Sequence, residues 1–176
     1  MRAFVAVEVP RGEVADPRDP RSATEHLTLR FLGEIDEPTA GNLVRALAPA
    51  VGPVAPFEFV LEGVDAFPSP ERPRVVWRGV TRGAVELRSL ARVVREAVES
   101  AGLVDDPSPF VPHVTLFRVR SPRDRERAAR LLGPDAVVPS PTPVAVTTVD
   151  LIESRLTSAG AIHRTLARFP LSGPDP

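Results

Sequence analysis

His26-Leu27-Thr28-Leu29 and His113-Val114-Thr115-Leu116 are the two stretches on which the reading of this chain turns. Each is a strand-like run in which residues i and i+2 share a face, so His and Thr point one way while the two apolar residues point the other. One copy stands in each half of the chain, and each is followed by a helical pattern and then another strand. A single His-X-Thr-Leu is what many half-buried strands carry. Two copies at matching places, in a chain of 176 residues with only three histidines, imply two similar lobes that each present one imidazole and one hydroxyl.

Working outward, residues 2–9 read as a buried Val- and Phe-rich strand ended by Pro10, residues 11–24 as a loop and residues 26–32 as the first motif strand. Asp36 is placed to cap a helix with Pro38 just inside it; Leu43, Val44, Leu47 and Val51 give that helix an apolar stripe before Gly52. Residues 57–67 alternate like a strand. Pro68, Pro70 and Pro73 punctuate a turn, and residues 74–80 form a strand around Trp77, which reads as core. Leu87, Leu90, Ala91, Val94, Ala97, Val98 and Ala101 recur at helical spacing up to Gly102. The second motif strand covers residues 113–119, a short helix runs from a Ser121 cap and Pro122 to Gly133, and residues 144–153 read as one last long strand. The tail over residues 171–176 is expected to be loose. No linker interrupts this order, so residues 1–176 read as one bilobal α+β domain with approximate two-fold symmetry and a cleft between the lobes.

Composition removes several classes of function. With no cysteine there is no disulfide, thiolate metal site or cysteine nucleophile, and with no lysine there is no covalent lysyl-nucleotide. No run approaches the roughly 20 apolar residues of a membrane span, and the N-terminus lacks the long apolar segment of a signal peptide, so a cytoplasmic protein is expected. A formal net charge of −1 argues against broad contact with nucleic acid. Each half offers one histidine without a carboxylate at ligand spacing, so no metal and no cofactor are expected.

Two imidazoles and two hydroxyls around one small anion suit displacement at phosphorus. One histidine can deprotonate an incoming water while the other protonates the departing sugar oxygen, because an ordinary pKa near ~6.5 allows either state around neutrality. The Thr28 and Thr115 hydroxyls can donate to non-bridging oxygens.

The motif pair, within His26-Leu-Thr-Leu-Arg-Phe-Leu-Gly-Glu34 and Pro112-His-Val-Thr-Leu-Phe-Arg118, resembles the two-histidine phosphoesterase superfamily. More narrowly the chain is similar to the RNA 2′,3′-cyclic phosphodiesterases, also called 2′-5′ RNA ligases. Ala66-Phe-Pro-Ser-Pro70, Pro73-Arg-Val-Val-Trp77, Ser154-Arg-Leu156 and Arg168-Phe-Pro-Leu171 extend the likeness over nearly the whole chain. The resemblance implies hydrolysis of an RNA-terminal cyclic phosphate to a 2′-phosphate, with 2′-5′ ligation as the reverse reaction. It implies His26 as proton donor to the leaving 3′ oxygen and His113 as proton acceptor from water. It also places Arg118 near the phosphate. Phe31, five residues after His26 at the cleft end of its strand, is positioned to stack on the terminal base. The RNA 3′ end is then the expected partner through a short contact, with no membrane and no protein partner. His163 has no Thr partner, falls where relatives often have an aromatic residue, and is read as a bystander. The stretch Arg11 to Glu25 is shorter than the helical segment usual in the family, which suggests a lobe lacking one covering helix. A cyclic phosphodiesterase acting on a small nucleotide such as ADP-ribose cyclic phosphate, a non-catalytic RNA-end binder and, more remotely, a metal-dependent hydrolase stay open beside this reading.

Overall fold

In the computed structural model, both His-X-Thr-Leu strands lie at the edge of a four-stranded antiparallel sheet. Residues 1–10, 26–104, 108–136, 139–157 and 160–174 are described. The order is β1 (Arg2–Glu8), β2 (His26–Glu34), α1 (Glu37–Val51), β3 (Phe57–Phe67), β4 (Val75–Val80), α2 (Ala84–Ser100), β5 (His113–Arg118), α3 (Pro122–Leu132), β6 (Thr142–Val146), β7 (Thr148–Thr157) and β8 (Gly160–Pro170). The first sheet runs β2-β1-β7-β8 and the second β5-β4-β3-β6. This is the expected bilobal α+β arrangement. The loop expected at residues 11–24, and the missing covering helix inferred there, fall outside the described residues.

The helices form where their end signals predict. Asp36 Oδ1 accepts from the Thr39 backbone N–H at 2.9 Å. At α3, Ser121 and Asp124 complete a capping box: the Ser121 hydroxyl accepts from Asp124 N–H, and the Asp124 carboxylate accepts from Ser121 N–H. One apolar core joins all the layers. Val5, Val7, Leu27 and Leu151 of the first sheet, Leu43 and Leu47 of α1, Leu87, Leu90 and Val94 of α2, and Phe59, Leu61 and Val114 of the second sheet belong to it.

Three sequence readings are corrected. Residues 144–153 are not one strand: β6 closes the second sheet against β3, and after Thr147 the chain enters the first sheet as β7 against β1. An uninterrupted β-prone run cannot reveal that it changes sheets, because the change depends on partners supplied elsewhere. The second correction is β8, which the sequence reading omits. It is an exposed edge strand held by ion pairs across the ladder, Arg164 with Glu153 and Arg168 with Asp150, so it lacks the apolar alternation that marks a half-buried strand. The third concerns the tail. Leu171 is buried, and the Leu171, Ser172 and Gly173 amides donate to the carbonyls of Thr147, Gly52 and Val54, so the chain stays anchored through Gly173.

Candidate active site

Each motif strand carries a β-bulge at its leucine. In β2, Thr28 pairs with Ala6 and Arg30 with Val5, leaving Leu29 as the extra residue. In β5, Thr115 pairs with Trp77 and Phe117 with Val76, leaving Leu116 as the extra residue. Both leucines are buried in the core. A bulge inverts the alternation beyond it. Phe31 and Arg118, five residues after their histidines, would face the core in a regular strand. Because of the bulges they pair with Phe4 and Val75, on the face that carries His26 with Thr28 and His113 with Thr115. The site is thus a repeated device, His-X-Thr-bulge-X-residue, ending in an aromatic ring in one lobe and a guanidinium in the other. The strands bearing the two devices, β2 and β5, are also in contact across the two sheets.

Around His26 the first sheet builds an aromatic cluster. Phe4, on β1, is the hub, with ring centroids 4.7 Å from His26, 5.3 Å from His163 and 6.1 Å from Phe31. Phe4 is buried with Ala6 and Ile152 in a small cluster separate from the main core, whereas Phe31 is 60% exposed. Exposure at that level identifies Phe31 as a ring with a free face rather than a core residue. His163, read from the sequence as a bystander, lies beside the first motif histidine: its ring is 4.8 Å from that of His26, edge-on. No motif signals this residue, and it can be located only through the register of β8, where His163 stands opposite Ser154. Burial, and secondarily the positive charge available to His163, lower the His26 pKa from its ordinary value to about 4.

His113 sits in a second aromatic pocket, 5.1 Å from Phe67 and 5.7 Å from Trp77 by ring centroids. Trp77 is buried as expected, but it also walls the site. The His113 Nδ1 is 2.7 Å from the Val111 carbonyl oxygen. A carbonyl can only accept, so Nδ1 carries the proton, and in the neutral ring Nε2 keeps its lone pair. Burial lowers the His113 pKa, the bond to Val111 partly opposes this, and the charge of Arg118 lowers it further. Among the described residues no group of three or more His, Asp or Glu side chains is placed to hold a metal ion.

A family model for the 2′-5′ RNA ligase superfamily matches residues 2–157. The chain belongs to that superfamily. Among curated relatives, the RNA 2′,3′-cyclic phosphodiesterase of Aeropyrum pernix is 41% identical over 143 residues, covering 80% of this chain and 78% of the relative. Among solved structures, a Thermus thermophilus protein superposes with a TM-score of 0.76 at 25% identity, covering 98% of this chain and 99% of its own. Escherichia coli LigT, crystallised with 3′-AMP, superposes at 0.70 and 26% identity, over 97% and 98% of the two chains. This member of the 2′-5′ RNA ligase superfamily is an α+β protein, and none of its described helices is long and apolar enough to cross a membrane.

Proposed function

We propose that this chain hydrolyses RNA-terminal 2′,3′-cyclic phosphates to 2′-phosphates, with His26 and His113 as the acid–base pair and reverse 2′-5′ ligation open to the same groups. The observation that supports the proposal is the paired device itself: two bulged edge strands, each offering an imidazole and a hydroxyl, with Nδ1 of one imidazole bonded to the Val111 carbonyl and its Nε2 left to act as the base. Water attacks phosphorus in line and loses its proton to Nε2 of His113. The P–O3′ bond breaks as His26 delivers a proton to O3′, leaving the phosphate on O2′. Thr28 and Thr115 donate to the non-bridging oxygens, Arg118 balances the charge that builds there, and Phe31 stacks on the terminal base. With its pKa lowered to about 4, His26 is neutral at pH 7 before substrate binds. The substrate's negative charge, arriving beside it, raises that pKa and makes the proton available in the complex. A cytoplasmic setting belongs to the same proposal.

The test is to incubate the protein, in excess EDTA, with a short RNA ending in a 2′,3′-cyclic phosphate and to locate the product phosphate. A 2′-phosphate is the expected product. A 3′-phosphate would reverse the identity of the leaving oxygen, and binding without turnover would point instead to an RNA-end-binding protein.

A further inference from the structure

Several arginines of α2 and of the β7–β8 ladder are ion-paired: Arg92 with Glu96, Arg95 with Glu99, Arg164 with Glu153, and Arg168 with Asp150 and Glu8. A second group is not. Arg72 and Arg74 in the β3–β4 turn, and Arg118, Arg120 and Arg123 on the run from β5 into α3, are exposed and have no carboxylate partner among the described residues. The backbone draws these two segments together, since Val75 pairs with Arg118 and the Val119 N–H donates to the Arg74 carbonyl at 2.9 Å. Three acids lie in the same segments, Glu71, Asp124 and Glu126. The Asp124 carboxylate is committed to the α3 cap, accepting from the Arg120 and Ser121 amides and the Ser121 hydroxyl, and Glu71 is hydrogen-bonded by Ser69. In a chain of net charge −1, this end of the second sheet is therefore locally basic, and it is continuous with the candidate site through Arg118.

We propose that Arg74, Arg120 and Arg123 form a track for the backbone of single-stranded RNA, holding phosphates on the 5′ side of the cyclic-phosphate nucleotide as the strand leaves Arg118. The inference rests on the activity proposed above and specifies its substrate as an oligonucleotide rather than a mononucleotide. Guanidiniums without internal carboxylate partners favour a polyanion, and an RNA strand is the polyanion whose end already occupies the neighbouring site. Contacts of this kind carry no base sequence, so the track adds length preference without sequence preference.

Steady-state rates on a nucleoside 2′,3′-cyclic phosphate and on a decanucleotide ending in the same group test this across a salt series. The protein should prefer the decanucleotide through a lower KM, and the preference should fade as salt rises. In a variant combining Arg74→Gln, Arg120→Gln and Arg123→Gln that preference should collapse, and the log KM against log salt slope should flatten by about 2, at roughly 0.7 per phosphate contact on a single strand. The control pair Arg92→Gln and Arg95→Gln should leave it intact. Equal KM for the two substrates in the unaltered protein, or an undiminished preference in the triple variant, would overturn the track alone. No turnover of either substrate would overturn the activity and the track with it.

Discussion

His26 and His113 both occupy surroundings in which an imidazole is easier to leave neutral than to charge, but for partly different reasons. At His113 burial is opposed by the Val111 carbonyl, which accepts from Nδ1. At His26 burial is reinforced by a second imidazole. The sign for stability follows directly. An unfolded His26 takes up its proton near pH ~6.5, whereas the folded protein resists it until about 4, so the stability owed to neutral His26 is complete above 6.5 and declines as pH falls toward 4. Replacing His163→Phe keeps a ring against Phe4 and His26 while removing the charge. In that variant the His26 pKa should rise above 4 yet stay below 6.5, because burial, the larger cause, remains. An NMR titration of the ring protons reads this, and an unmoved His26 would reduce His163 to packing alone. If the acid–base roles hold, His26→Ala and His113→Ala should each lose at least ~10²-fold in rate with circular dichroism unchanged; near-normal turnover in either would end the two-histidine mechanism. The two motif histidines were legible in the sequence because each lies inside a local pattern. His163 was not, because its neighbours are set by the register of an edge strand far along the chain.

At the level of elements, a bulge decides which side chains reach the site. Simple alternation along β2 and β5 identifies His26 with Thr28 and His113 with Thr115, but it turns Phe31 and Arg118 toward the core. The extra residues Leu29 and Leu116 restore them to the site face. The sequence signals elements whose forces are local: the Asp36 and Ser121 caps, the α2 stripe and the proline-bounded strands. It does not signal β8 or the passage from β6 to β7, where cross-strand ion pairs and a change of sheet do the defining. One junction has a sharp requirement. Gly83, just before α2, holds φ +80, and a Cβ there would fall 2.5 Å from the Glu58 carbonyl oxygen and 2.6 Å from the Phe59 Cα. The β4–α2 turn is pressed against β3, where Val60 N–H donates to the Arg82 carbonyl at 2.9 Å. Gly83→Ala combines left-handed strain with a backbone clash, so a loss of at least about 2 kcal/mol is expected. Urea unfolding measures it, and a loss under half of that would show that the turn can shift away from β3.

At the scale of the whole molecule, the proposed unit is the complete chain, two lobes that fold together. A site divided between two edge strands works only if the sheets keep a fixed relation, and a pair of independently folding lobes would let that relation drift. The core argues for one unit, because α1 and α2 contribute to a single apolar cluster that also takes residues from both sheets. Leu47 of α1 and Leu90 of α2 are fully buried in that one cluster, and the two helices pack against each other. Exposing a leucine of this kind costs about 1.5–3 kcal/mol, so a state with one lobe folded and the other open forfeits a large part of a typical domain's stability. The chain supplies a probe for each scale. Trp77 is its only tryptophan and belongs to the second sheet, while far-ultraviolet circular dichroism reports on both sheets and on the helices α1, α2 and α3 together. Urea transitions followed by Trp77 fluorescence and by circular dichroism should therefore coincide in midpoint and slope. Separated midpoints would show that the lobes unfold one at a time, and the fixed spacing of His26 and His113 would then have to come from the bound substrate rather than from the shared core.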